Sequence, residues 1–264
     1  MEFQEINLSE KSIKYYKIGK GKPIVYIHSF EGIMITQPIR ELSENFEIYF
    51  PVIPGFHKTK TIETSDSVSQ ITEILIEFIQ KISNDKVDLI GYSLGSYIAS
   101  QIVIKKPDII DQLILMSPLG IDFENEKNNL NNNNYENTVY NFPEKYNAIV
   151  NHEDLLDKTK ISLYSIPNSN KDFLNQLTKI KNLTLILMGN NDSIVSSESA
   201  QIIKEYIEHS YLIYIYDAGH GIGIDQPERV ASLMSDFLTR GQAFIVNWTG
   251  RDNKDAPTRE LKSN

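Results

Sequence analysis

The sequence predicts an α/β fold, in which eight strands form a mostly parallel sheet with helices on both faces. Short apolar runs rich in β-branched and aromatic residues alternate with helix-length segments, as in "PIVYIH" (23–28), "KVDLIGYS" (86–93) and "LTLILMG" (183–189). Strands that are apolar along their whole length are typical of a parallel sheet covered on both faces. A chain of 264 residues, 41% of them hydrophobic, is large enough to bury one extensive core.

The first 118 residues supply most of the predicted sheet. Residues 2–18 favour two short strands joined by a polar turn. Val68, Ile71 and Leu75 recur at helical spacing, which predicts a helix that begins at Ser67. In chain order, the other elements predicted here are a strand at 23–28, a helix at 38–44, a strand at 46–55, a strand at 86–93, a helix up to Lys105 and a strand at 111–118.

The alternation of strands and helices stops after residue 118 and resumes at 181. We therefore predict a core made of residues 1–118 and 181–239, interrupted by a small helical cap at 119–180. Residues 125–141 contain nine asparagines, a composition typical of a solvated surface segment. The resumed pattern predicts strands at 183–188 and 210–219 and helices at 198–208 and 227–239.

Residues 240–264 differ in composition from the rest of the chain. They hold the only Trp and three of the five arginines. We predict that this segment is a disordered or non-native tail outside the fold.

Composition also excludes several classes of function. The formal net charge of -9 argues against nucleic-acid binding, which depends on clustered Lys and Arg. The absence of cysteine excludes disulfides, thiol catalysis and thiolate metal sites. No apolar run reaches the ~20 residues of a membrane span, and "MEFQEINLSEK" lacks the features of a signal peptide. We expect a cytoplasmic protein that acts on a small molecule, while its oligomeric state is left open.

The stretch "LIGYSLGSYIAS" (89–100) places Ser93 between Gly91 and Gly95, after an apolar strand and before a helix. A serine hydroxyl becomes a nucleophile only when a base removes its proton and hydrogen-bond donors stabilise the oxyanion. A sharp strand-to-helix turn exposes the hydroxyl above a helix N-terminus, and small residues two positions away on each side prevent collisions. The pattern therefore predicts a nucleophilic serine.

Together with three other motifs, this pattern resembles the α/β-hydrolase superfamily over roughly residues 10–239. "GYSLG" (91–95) is similar to the nucleophile elbow, "YIHSF" (26–30) to the oxyanion loop, "GNNDSIV" (189–195) to the acid loop and "DAGHGIGIDQPERV" (217–230) to the histidine loop. The resemblance implies a triad of Ser93, Asp192 and His220 and an oxyanion hole formed by the backbone N–H groups of Phe30 and Leu94. It implies no cofactor and no metal.

Two features leave alternatives open. Asp122, which follows "MSP", is a rival for the acid because some relatives of this fold place it after the sixth strand. The family usually has glycine directly after the histidine of the oxyanion loop, where this chain has Ser29. If that position requires positive φ, serine is strained there and the loop differs in shape.

The other histidines are predicted to have no catalytic role. His28 is interpreted as a brace for the oxyanion loop, and we expect His57, His152 and His209 on the surface. None of them has metal-ligand spacing with another candidate ligand. His220 and Asp225 spell H-x-x-x-x-D, a pattern found in acyltransferases, but we interpret Asp225 as part of the loop that enters the last helix.

The sequence thus favours a carboxylesterase-like serine hydrolase that cleaves a small carboxylic ester or related acyl substrate through an acyl-enzyme. A carbon–carbon bond hydrolase, a lyase or an acyltransferase that uses the same triad is the enzymatic alternative. A ligand-binding receptor that keeps the fold without the chemistry is the alternative outside catalysis. The cap sets specificity in this fold, and its sequence does not reveal the substrate.

Overall fold

A computed structural model of the protein describes residues 2–60, 67–131, 134–148, 166 and 171–246. Eight strands form a single sheet, as predicted. They are β1 (Gln4–Asn7), β2 (Ser12–Gly19), β3 (Lys22–Ile27), β4 (Phe46–Pro51), β5 (Val87–Tyr92), β6 (Ile110–Met116), β7 (Leu183–Gly189) and β8 (Ser210–Ile215).

The order of the strands across the sheet is β1-β2-β4-β3-β5-β6-β7-β8. β2 pairs antiparallel with both β1 and β4, and all other neighbours are parallel. The mostly parallel sheet that the sequence predicts is therefore confirmed. Every residue of β5 is buried, and β6 is buried except at Asp111, because helices cover both faces of the central strands.

The helices divide between the two faces because the chain reverses direction across the sheet. Across the sheet, the connection from β3 to β4 runs in the direction opposite to the connections from β4 to β5 and from β5 to β6. Because such crossovers are right-handed, connections in opposite directions place their helices on opposite faces of the sheet. The helices are α1 (Gln37–Leu42), α2 (Ser67–Ile82), α3 (Leu94–Lys105), α4 (Phe123–Leu130), α5 (Tyr135–Val139), α6 (Pro143–Asn147), α7 (Lys171–Leu177), α8 (Ser197–Tyr206), α9 (Ile222–Asp225), α10 (Pro227–Arg240) and α11 (Ala243–Val246). Accordingly, α1 packs against α10, and α2 packs against α3.

Two strands end earlier than the sequence predicts. β4 stops at Pro51 and β8 at Ile215, whereas the predicted strands continue to residues 55 and 219. After β8 the backbone turns away from the sheet at Asp217, whose φ is 54°. The residues that leave the sheet at this edge form the loops around the candidate site.

Between β6 and β7 the described chain is helical, in α4 to α7. The interpretation of residues 125–141 as a solvated segment is wrong. Glu126 and Leu130 of α4 and Tyr135 and Val139 of α5 are buried, and the described asparagines of this segment occupy exposed or half-buried positions in and beside these helices. Residues 132–133, 149–165 and 167–170 of the predicted cap lie outside the described residues, and His152 is among them.

The predicted tail begins too early. α10 ends at Arg240, and α11 follows it with Phe244 buried against Phe237 at a ring-centroid distance of 5.6 Å. An aromatic side chain within the predicted tail thus belongs to the core, while residues 247–264 lie outside the described part of the chain. Within that part, no helix combines the length and the apolar character that crossing a membrane requires.

Candidate active site

Ser93 lies at the sharp turn between β5 and α3. Its φ of 55° and ψ of -115° are a sparsely populated conformation for a residue with a side chain, and its N–H donates to the Met116 carbonyl at 2.9 Å. A Cβ on Gly91 would lie 2.4 Å from the Gly95 carbonyl oxygen, and one on Gly95 would lie 2.0 Å from that of Ile27. Both glycines are therefore required by close backbone contacts around the serine.

His220 joins the other two predicted triad residues. Its Nε2 lies 2.9 Å from Ser93 Oγ, and its Nδ1 lies 2.8 Å from Asp192 Oδ2. A proton on Nδ1 donates to the carboxylate and leaves Nε2 free to accept the serine proton. The side chains of His220 and Asp192 are 2% and 1% exposed, so both hydrogen bonds are shielded from water.

Hydrogen bonds and one close backbone contact hold the loops that carry His220 and Asp192 in place. Asp192 Oδ1 accepts hydrogen bonds from the N–H groups of Ile194 and Val195, at 2.8 and 2.9 Å, which turns its Oδ2 toward the histidine. Ser117 Oγ donates to the His220 carbonyl at 2.7 Å. A Cβ on Gly189 would lie 2.0 Å from the Gly219 carbonyl oxygen, so this glycine permits the close approach of the two loops.

The loop after β3 forms a tight turn in which the Gly32 N–H donates to the Ser29 carbonyl at 3.0 Å. Phe30 and Glu31 are the central residues of this turn, and Gly32 has a φ of 78°. Ser29 is not among the described residues with positive φ, so the departure from glycine causes no backbone strain there. Leu94 is the first residue of α3, where a backbone N–H has no carbonyl partner within its own helix.

Two of the remaining histidines support this loop. His28 is fully buried: its Nδ1 lies 2.7 Å from the Ser29 carbonyl, and its Nε2 accepts the Ile53 N–H at 3.0 Å. His57 is half-buried and accepts the Ile33 N–H through Nε2 at 2.9 Å. The prediction of a surface position for His57 is therefore wrong, whereas His209 is exposed as predicted.

Asp122, the rival candidate for the acid, is exposed, whereas Asp225, the carboxylate that follows His220 in its loop, is buried. Asp122 is exposed at the start of α4, where its Oδ2 accepts a hydrogen bond from the side chain of Asn125. Asp225 is fully buried, and its carboxylate accepts the N–H groups of Gly219, Asn141 and Phe142 at 2.8, 2.9 and 2.9 Å. Asp225 therefore connects the histidine loop to the cap.

Two further buried carboxyls near His220 were missed by sequence reasoning. Glu31 is 7% exposed, and its Oε1 accepts a hydrogen bond from the Tyr140 hydroxyl. Glu126 is 2% exposed and accepts the N–H groups of Gly120 and Asp122 at 2.7 and 3.3 Å. The sequence offers Glu31 only as the neighbour of Phe30, and no local pattern marks either carboxyl as buried.

A cavity with about 360 Å³ of empty space, partly open to solvent, lies beside the triad. Tyr92 and Gly221, the neighbours of Ser93 and His220, face it. Among the described residues, no group of three or more His, Asp or Glu side chains has the arrangement of a metal site. The other lining residues are Tyr26, Gly32, Met34, Thr36, Met116, Tyr140, Gly223 and Ile224.

Comparison with known proteins gives consistent matches. A family model described as the alpha/beta hydrolase fold matches residues 22–161, just over half of the chain. A 2-hydroxy-6-oxo-2,4-heptadienoate hydrolase of Pseudomonas putida is 24% identical over 84% of this chain and 91% of its own length. A monoacylglycerol lipase, abhd6-A of Xenopus laevis, is 21% identical over 89% and 82%, respectively. Among solved structures, a thermophilic esterase from Thermogutta terrifontis superposes with a TM-score of 0.73 at 21% identity, covering 90% of this chain and 98% of the esterase.

Proposed function

Because the chain belongs to the α/β-hydrolase family, we propose that it hydrolyses small carboxylic esters through an acyl-enzyme on Ser93. The observation that carries this proposal is the continuous chain of hydrogen bonds from Ser93 through His220 to Asp192, at 2.9 and 2.8 Å. A serine, a neutral imidazole and a carboxylate at these distances form the arrangement that activates a hydroxyl for attack on an acyl carbon.

In the proposed reaction, Ser93 Oγ attacks the acyl carbon and its proton passes to His220 Nε2. The backbone N–H groups of Phe30 and Leu94 stabilise the oxyanion. The intermediate then expels the alcohol, which takes the proton from His220, and leaves the acyl group on Ser93. A water molecule gives a proton to His220 and attacks this acyl group. The acid is then released, and Ser93 Oγ takes the proton back from His220. Asp192 stabilises the imidazolium in both halves of the reaction.

The lining of the cavity and the names of two relatives support an ester substrate. Met34, Met116 and Ile224 give the cavity apolar walls, which suit the carbon skeleton of an ester. The lipase and the esterase among the similar proteins are named for ester substrates.

Hydrolysis of a carbon–carbon bond beside a ketone is the second candidate. The observation that favours it is the set of curated relatives named as hydrolases of 2-hydroxy-6-oxo dienoic acids and related acids, at 22–27% identity. Their substrates are named as carboxylic acids with a ketone and without an ester. The same triad serves both reactions, so the substrate decides between them.

Labelling with a fluorophosphonate and hydrolysis of p-nitrophenyl esters of increasing acyl length test the proposal together. We expect a covalent adduct on Ser93, turnover of the shorter esters, and loss of both in Ser93→Ala. Ser197→Ala, which removes an exposed hydroxyl at the start of α8, serves as the matched control and should behave as wild type. An unlabelled Ser93 in folded protein would favour the receptor alternative, and labelling without any ester turnover would favour the carbon–carbon hydrolase.

A further inference from the structure

The carboxyl of Glu31 has one oxygen that the structure leaves without a hydrogen-bond partner. Oε1 accepts the Tyr140 hydroxyl, and Tyr135 also interacts with the carboxyl, but Oε2 is buried without a partner among the described residues. Burial raises the pKa of Glu31, because a desolvated carboxylate is costly. An approaching cation favours the ionised form of such a carboxyl, so the negative charge of Glu31 is strongest when a cation is bound nearby.

Glu31 is in contact with two of the residues that line the cavity. Gly32, the next residue in the turn, faces the cavity, and so does Tyr140, whose hydroxyl bonds to Glu31. Tyr26 and Tyr92 complete an aromatic lining that is within electrostatic reach of the Glu31 carboxylate. Aromatic rings attract cations through their quadrupole, and a nearby carboxylate adds to that attraction.

The charges around the cavity are unbalanced in the described part of the chain. Burial raises the pKa of Tyr92, and the negative charges of Glu31, Asp192 and Asp225 raise it further. The positive group that acts on Glu31 among the described residues is His220, which must be neutral to accept the serine proton. A substrate carboxylate would therefore enter a negative field, and no Lys or Arg is among the described residues that line the cavity.

We propose that Glu31 is a specificity-determining residue, which makes this pocket select acyl substrates that carry an ammonium group and reject those that carry a carboxylate. The inference rests on the proposed ester hydrolysis at Ser93 and names the substrate class for it. It gives Glu31 a role in recognition and none in bond making or breaking.

Three matched thioesters test the selection. They are acetylthiocholine, its uncharged isostere in which carbon replaces the quaternary nitrogen, and an acetyl thioester of similar length that ends in a carboxylate. We expect kcat/KM for acetylthiocholine to exceed that for the isostere by about tenfold, and the carboxylate to be the poorest substrate. In Glu31→Gln the preference for the cation should fall to within about twofold, while the isostere is still hydrolysed.

Glu41→Gln is the matched control, because it removes one negative charge from an exposed position on α1. It should keep the wild-type preference. Equal rates for the cation and the isostere in wild type, or an unchanged preference in Glu31→Gln, would overturn the inference while leaving ester hydrolysis intact.

A binding measurement separates this inference from the proposed function. In the Ser93→Ala variant, phenyltrimethylammonium should bind about tenfold more tightly than tert-butylbenzene. Adding Glu31→Gln to this variant should remove the difference in affinity. If neither the thioesters nor the p-nitrophenyl esters are hydrolysed, the proposed function fails, and this pair of probes still decides the role of Glu31. Equal binding of the two probes would overturn it.

Discussion

The turn at residues 91–95, called the elbow, and the junction between the His220 loop and the segment that follows α5 hold their residues in different ways. At the elbow, Gly91 and Gly95 allow backbone contacts that would exclude any Cβ, and these fix the strained φ of Ser93. At the junction, the buried carboxylate of Asp225 accepts one N–H from the histidine loop and two from the cap. The elbow is thus positioned by steric exclusion between closely packed backbone segments, and the junction by hydrogen bonds across 83 or 84 residues.

This difference indicates how each region should respond to substitution. A Cβ cannot be accommodated where backbone atoms lie 2.0–2.4 Å away, so changes at the elbow are expected to disrupt structure and chemistry together. A lost hydrogen bond at the junction leaves the fold intact and shifts loops by small distances, so its effects should be graded.

The largest effect is expected at Asp192, whose Oδ2 lies 2.8 Å from His220 Nδ1. In Asp192→Asn, the amide cannot stabilise the imidazolium as the carboxylate does, and kcat should fall about a thousandfold or more. Asp122→Asn alters an exposed side chain at the start of α4 and should retain nearly wild-type kcat. Ester kinetics on both variants provide the measurement, and the opposite ranking would assign the acid to the loop after β6.

The second effect concerns stability at the elbow. Gly95→Ala places a Cβ 2.0 Å from the Ile27 carbonyl oxygen and should lower the free energy of unfolding by about 3 kcal/mol or more. Gly223→Ala is the control, because the nearest atoms to its Cβ lie at 3.7–3.9 Å. Thermal unfolding should separate the two variants by several degrees, and equal Tm values would contradict the steric account of the elbow.

The same difference explains what could be predicted from the sequence. Strand periodicity and the glycines around Ser93 are local signals, so the sheet, the strand order along the chain and the position of the elbow were predictable. Ser93, Asp192 and His220 were identified through a family resemblance, and the structure brings their side chains into contact. The assignment of their roles remains a proposal.

The junction could not be predicted because its partners are distant in sequence. Nothing in "GIGID" indicates that Asp225 bonds to Asn141 and Phe142. The asparagines of 125–141 dominated the composition, whereas burial depends on the few apolar side chains among them, such as Leu130 and Val139. Tertiary contacts thus overrode the compositional signal in the cap.

The third prediction tests the graded response at Asp225. Asp225→Asn replaces an acceptor oxygen by an amide N–H that faces backbone donors, so the cap and the histidine loop should separate slightly. We expect kcat to fall between about tenfold and a hundredfold with KM changed less, because His220 is displaced from Ser93. Asp236→Asn on α10, which breaks a partly exposed pair with Arg240, should be close to wild type. A change confined to KM would indicate that Asp225 acts only on the cap.

The last effect concerns pH and the buried carboxyl of Glu126 on α4. Burial raises the pKa of Glu126 from 4.5 to about 7, against the opposing effect of the Gly120 and Asp122 N–H groups. The folded state therefore holds this proton more tightly than the unfolded state, and the stability it contributes below pH 4.5 is lost as pH rises through 7. Glu126→Gln cannot ionise, so the Tm of wild type relative to this variant should fall by roughly 5–10 °C between about pH 5 and pH 8. Glu124→Gln, at an exposed position on the same helix, should show no such trend against wild type. A difference between wild type and Glu126→Gln that stays constant with pH would mean that Glu126 remains ionised throughout, and that its two backbone hydrogen bonds outweigh its burial.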